Sequence, residues 1–174
     1  MFKVMVDAGH GGFDNGAAYE GRREKDDTLR LALEVGRILE ENGVDVAFTR
    51  TEDIYQSPSA KARIANNSGV DLLVSIHRNA AYAPNTYNGV QTLIYNTGDI
   101  KETIANNINE ELAEVGFQNL GTEVRQNLAV LRQSQMPAVL VEAGFIDSDK
   151  DNEIFDESFY ETANAIAQGI LRSI

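Results

Sequence analysis

Five short runs, Phe2 to Val6, Val44 to Phe48, Val70 to Ile76, Val90 to Tyr95 and Ala138 to Val141, are almost continuously apolar and bounded by Gly, Pro, Asn or Asp. A strand with one face in water alternates apolar and polar residues; an uninterrupted apolar run suits a strand buried on both faces, as in parallel sheets. Between the runs lie helical spacings: Leu31, Val35, Ile38 and Leu39; Ile100, Ile104, Ile108 and Leu112; and Phe159, Ala163, Ile166, Ala167, Ile170 and Leu171. Ser57-Pro58 fits an N-cap followed by a first-turn proline, and Ser158 with Glu161 fits a capping box opening the last helix. Alternating strands and helices predict one α/β domain over residues 1 to 174. Its mostly parallel, mixed, twisted sheet should have about six strands, covered by helices on both faces. Function in such folds gathers at the carboxyl ends of the strands.

Composition narrows the partners. With 27 acidic against 15 basic residues the formal charge is −12, which repels phosphate backbones and anionic membrane surfaces. Neither nucleic acid nor direct membrane binding is expected. The absence of cysteine removes disulfides and thiolate metal sites and leaves the compartment open. No apolar run reaches the roughly 18 residues of a membrane span, and MFKVMVDAGHGG has no signal-peptide pattern, so a water-soluble chain is expected.

The chain has two histidines, His10 in VMVDAGH and His77 in DLLVSIH, and each falls just after a predicted strand. Imidazole is the commonest side-chain metal ligand, and a catalytic zinc takes three protein ligands, such as two His and one Glu. Six carboxylates flank His10, and helical phase separates them. Seven residues before Leu31, about 20° short of two turns, Glu24 falls on the inward face of its helix. The same position also suits a carboxylate that merely complements the helix dipole. In MPAVLVEAGF a buried strand delivers Glu142 to the same functional edge; either a salt bridge with Arg125 or Arg132, or a general base, would account for it. Gly9, Gly11 and Gly12 are read as clearance for a tight turn and for close approach of metal or substrate. GHGGFDNG is not a dinucleotide fingerprint, and there is no phosphate loop, GxSxG elbow or HExxH.

In order along the chain, VDAGHGGFDNGA, REKD, TRTED, RIAN, SIHRNA and LAVLRQSQMPAVLVEAGFIDS resemble the zinc-dependent N-acetylmuramoyl-L-alanine amidases of the amidase 3 family, over nearly the whole chain. The resemblance implies one zinc ion on His10, Glu24 and His77, with Glu142 as the catalytic glutamate. It implies hydrolysis of the amide joining the lactyl group of N-acetylmuramic acid to L-alanine of the peptidoglycan stem peptide. Asn79, Arg78 and Arg132 are expected at the substrate groove, with the segment from Tyr82 to Tyr87, whose tyrosines read equally well as solvated loop residues. Two positions depart from the family pattern. Arg78 stands where Ala is usual, and is expected to set a cation beside the metal; Asp27 stands where an apolar residue is common, and is expected to alter only the helix surface. The alternatives are a zinc peptidase cutting within the stem peptide and a non-catalytic wall-binding domain. The expected setting is extracellular or at the cell wall, as a monomer, with peptidoglycan as partner and a separate wall-targeting module or partner.

Overall fold

The five apolar runs are strands in the computed structural model, which describes all 174 residues. In chain order the elements are β1 (Lys3–Ala8), a short hairpin of β2 (Ala18–Tyr19) and β3 (Arg22–Arg23), α1 (Glu24–Glu41), β4 (Asp45–Phe48), α2 (Pro58–Asn66), β5 (Leu72–Asn79) and β6 (Val90–Ile94). They continue with α3 (Asp99–Val115), β7 (Asn119–Val124), α4 (Ala129–Arg132), β8 (Ala138–Phe145), α5 (Asp149–Glu157) and α6 (Phe159–Leu171). The six-stranded sheet has the order β4-β1-β5-β8-β6-β7. Strands β4, β1, β5 and β8 run parallel, β6 is antiparallel to β8, and β7 is parallel to β6. The expected mixed, mostly parallel sheet is what forms.

Period-two alternation divides the central strands between two cores of unequal size. Val4, Val6, Leu72, Val74, Ile76, Val139, Val141 and Ala143 enter a cluster of 28 buried residues with α1, α3 and α6. Met5, Leu73, Ala138 and Leu140 enter a cluster of nine with α2 and α4 residues Ala65, Val130 and Leu131. Asp7, Ser75, His77 and Glu142 continue this second alternation toward the carboxyl edge, where the covering helices are short. No helix is long and apolar enough to cross a membrane.

The local expectations divide. Ser57 caps α2 by accepting from the Ala60 amide at 3.1 Å, with Pro58 in the first turn. Ser158 makes no side-chain cap; it ends α5 and begins α6 in one residue, and its carbonyl accepts from the Thr162 amide and hydroxyl instead. The side-chain cap of this region is Ser148, on the Asp151 amide at the start of α5. Strands β5 and β8 outlast their apolar runs, so His77 and Glu142 lie within strands, paired across the register, rather than after them.

Helices α3 and α6 cross closely at Gly169, where an added Cβ would lie 2.6 Å from the backbone of Ile108. Gly169→Ala is expected to force the helices apart and destabilise the protein by about 1–3 kcal/mol, read as a lower thermal midpoint with unchanged secondary structure.

Candidate metal centre

His10 leaves β1 in the left-handed backbone region, with φ of 63°. Its loop is held from beneath by two buried cations. Arg50 donates to the carbonyls of Ala8 at 3.1 Å and Gly9 at 3.0 Å, and Lys61 donates to Ala8 and to Asp7. Asp7 is fully buried; burial raises its pKa, but the Lys61 charge and hydrogen bonds from Lys61, Ser75 and Thr49 outweigh that and hold it below the ordinary range.

Glu24, the first residue of α1 and 4% exposed, joins the two histidines. Its Oε2 lies 3.1 Å from His10 Nε2 and accepts from the Ala17 amide at 2.9 Å. Its Oε1 lies 3.2 Å from His77 Nδ1 and accepts from the Arg78 amide at 3.0 Å. One ligand atom from each of His10, Glu24 and His77 falls within 4.8 Å of the others. Two imidazoles and one carboxylate form the donor set of a catalytic zinc site, so the residues present fit the ion. The far nitrogen of His10, Nδ1, meets Asp14 at 2.8 Å, and Asp14 is itself fixed by the Gly16 amide at 3.0 Å, the carboxylate–histidine arrangement that orients a metal-binding ring. Gly9 and Gly16 provide the clearance: a Cβ at Gly9 would enter the His77 ring at 2.4 Å, and one at Gly16 would meet Glu24 and His10 at 2.6 Å. Gly11 and Gly12 instead clear the backbone of Ile54 and Tyr55.

Glu142 neighbours His77 across the β5–β8 register and Gln91 across β6. Its Oε2 is buried without a hydrogen-bond partner. Burial pushes its pKa up to about 7, with the nearby Glu24 charge adding to the rise and His77 opposing it. The salt bridge with Arg125 or Arg132 does not form; Arg125 is engaged by Glu123 at 2.9 Å, and Arg132 is an exposed residue of α4 in no ion pair. Burial lowers the His10 pKa, but hydrogen bonds and charge from Glu24 and Asp14 raise it to about 9. Glu24 is raised by burial but drawn far below the carboxylate range by the two histidines.

Beside the histidines lies a cleft of about 300 Å³, lined among others by Gln56, Pro58, Asn127, Leu128 and Val130. None of the three expected groove residues lines it. Asn79 bonds the adjacent Ala80 amide. Arg78 is corrected outright: its side chain is fully buried, donating to Asp27 at 2.9 Å, to Asn152 at 2.8 Å and to the Ala143 carbonyl at 3.0 Å, with Phe155 stacked 4.3 Å away. Consecutive strand residues face opposite ways, so a strand that presents His77 to one face must send Arg78 into the core on the other. Asp27 is corrected with it. At 5% exposure it is buried between Arg78 and Arg22 rather than on the helix surface, and the two departures from the family pattern are one ion pair.

A family model described as N-acetylmuramoyl-L-alanine amidase matches residues 4–172. The chain belongs to that family. Among amidase relatives, the sporulation-specific N-acetylmuramoyl-L-alanine amidase of Bacillus subtilis (strain 168) is 38% identical over 98% of this chain and 67% of its own length. The endolysin of Bacillus phage SPP1 is 36% identical over 96% of this chain and 64% of its own. The crystal structure of an N-acetylmuramoyl-L-alanine amidase from Clostridium difficile 630 superposes with a TM-score of 0.92 at 35% identity, covering 98% of this chain and 95% of that one. As in these relatives, the activity class is that of a peptidoglycan amidase.

Sequence reasoning missed Asp14, one of six carboxylates near His10, although its spacing of four residues from the histidine was a usable signal. It also missed the Ala17 and Arg78 amides, which carry no side-chain signature.

Two outcomes follow from this geometry. Folding raises the pKa of both Glu142, from 4.5 to about 7, and His10, from 6.5 to about 9, so each contributes stability at low pH that is lost as pH rises through those values. Glu24, whose pKa folding depresses, contributes stability above 4.5 that is lost in acid. The thermal midpoint of the metal-free protein is therefore expected to peak between roughly pH 5 and 6 and fall toward pH 9, with Glu142→Gln flattening the first part of that fall. Arg78→Ala should cost on the order of 3 kcal/mol in denaturant titration by emptying its buried site and leaving Asp27 with Arg22 as its one cation, and adding Asp27→Leu should recover part of the loss.

Proposed function

We propose that this chain holds one zinc ion through His10, Glu24 and His77 and uses Glu142 to hydrolyse the amide between the lactyl group of N-acetylmuramic acid and L-alanine of the stem peptide. The observation that carries the reading is the pairing, on adjacent strands, of the His10–Glu24–His77 cluster with an unpartnered carboxyl whose pKa lies near neutrality. When bound, zinc supplies Lewis acidity toward the amide carbonyl and acidifies water. Glu142, ionised at neutral pH in part and free of any salt bridge, takes the proton of the attacking water and returns it to the departing alanine nitrogen. Burial makes this carboxylate a stronger base than an ordinary one, which suits it to taking a proton from water. Asp14 holds the His10 ring, and the Ala17 and Arg78 amides hold both oxygens of Glu24, so the donor set keeps its orientation before substrate enters. The aliphatic wall of the cleft, from Leu128 to Val130, bounds the space on the side of α4.

The substrate places the site of action at the cell wall. A net charge of −12 gives the domain no electrostatic attraction to anionic wall polymers, so delivery falls to a separate targeting module or partner. All four site residues lie on one chain, so the site needs no second copy to be complete, in keeping with a monomer.

Glu142→Gln is expected to keep one bound zinc by metal analysis while slowing release of stem peptides from purified wall by roughly 10²–10⁴-fold. Mass spectrometry of wild-type digests should show intact stem peptides beginning with L-alanine and free lactyl carboxyl groups on the glycan. Internal peptide fragments, with alanine still attached to muramic acid, would move the reading to a peptidase; wild-type rates in Glu142→Gln would remove Glu142 from the mechanism.

A further inference from the structure

Two exposed aromatic pairs flank the metal centre along the carboxyl edge of the sheet. Phe13, 81% exposed, stacks on Tyr55 with ring centroids 4.1 Å apart. Tyr82, 86% exposed, meets Tyr87 at 6.4 Å, and Tyr87 rests against Phe145 at 6.1 Å. Topology puts them on opposite sides of the cluster. Phe13 and Tyr55 follow β1 and β4, whereas Tyr82 and Tyr87 follow β5 and lean on β8, with the His10–Glu24–His77 cluster between.

Neither pair rides on a loose loop. The Phe13 turn is closed by hydrogen bonds in both directions between Gly11 and Asp14, at 2.9 and 3.1 Å, and tied to Asp53 through the Gly12 amide at 2.8 Å. Lys25 bridges the Gly12 carbonyl and the Asp53 carboxylate. On the other side, Asn85 and Asp149 exchange hydrogen bonds at 2.8 and 3.1 Å, and Asp147 receives the Ala81 amide. Rigidly presented rings that face water gain nothing from the fold; such surfaces mark binding sites, and their fixed geometry lowers the ordering cost of binding.

We propose that these two pairs are stacking platforms for sugar rings of the glycan strand, on either side of the muramyl residue whose amide enters the metal centre. The proposal rests on the amidase reading above. A pyranose presents a face of C–H groups that suits the negative face of an aromatic ring, while its hydroxyl and acetamide groups need polar neighbours. The hydroxyls of Tyr55, Tyr82 and Tyr87, carried by the rings themselves, serve in that role. The exposed acidic residues Glu52 and Asp53 next to Phe13 and Tyr55 oppose the other reading of exposed aromatics, insertion into an anionic membrane.

The test compares two substrates with the zinc-loaded protein: soluble glycan strands carrying stem peptides, and a muramyl peptide with a single sugar. Phe13→Ala and Tyr82→Ala, both at water-facing positions, are each expected to raise KM on strands by about tenfold with kcat within about twofold, and to leave KM on the one-sugar substrate within about twofold. Phe13→Trp should restore strand KM. Equal rises on both substrates, no rise on strands, or loss in the variants only of binding to phosphatidylglycerol vesicles would overturn the proposal. If the wild type cleaves neither substrate, the amidase reading fails and the platforms are judged by binding of peptide-free strands. Tenfold weaker binding by Phe13→Ala then supports them and equal binding removes them.

Discussion

Glu24 is the point on which the site depends. A carboxylate buried to 4% exposure carries a desolvation penalty of several kcal/mol, and it is tolerated here because four groups converge on its two oxygens. Two are backbone amides, Ala17 and Arg78, and two are the imidazoles of His10 and His77. The start of α1, the loop after β1 and the end of β5 are thereby fastened to one side chain. The same requirement for satisfaction fixes the ring orientations that a metal ion would need.

A second layer of buried charge supports this arrangement from the sheet. On one face Arg50, and Lys61 anchored by Asp7, hold the carbonyls of Ala8 and Gly9, so that His10 can emerge in a left-handed conformation. On the other face Arg78 and Asp27 tie β5 to α1, the helix that begins with Glu24, and reach α5 through Asn152. The buried ion pair is stable while both members are present.

Much of this was legible along the chain. The apolar runs located five of the six strands of the main sheet, because strands covered on both faces leave no polar position to confuse the pattern. Strand β7 was not visible: NLGTEV is a polar, partly exposed edge strand with no buried run. Helix α5 was hidden for a similar reason, since of its nine residues only Asp151 and Phe155 are buried. The phase argument for Glu24 matched its inward position because helical geometry is local. The expectation for Arg78 failed on an equally local rule, since alternation along β5 separates it from His77. The capping box at Ser158 failed because that residue serves two helices at once.

The sequence by itself determined the α/β class, the strands that carry His10, His77 and Glu142 to one edge, and the inward direction of Glu24, all consequences of period and burial within single segments. Tertiary structure decided the rest. It placed β8 between β5 and the antiparallel β6, which makes His77 and Glu142 neighbours across 65 residues of chain. It also chose Asp14 from six candidate carboxylates and paired Asp27 with Arg78. Those outcomes depend on which segments meet, and burial rewards a buried carboxylate only when a partner from elsewhere in the chain arrives to satisfy it.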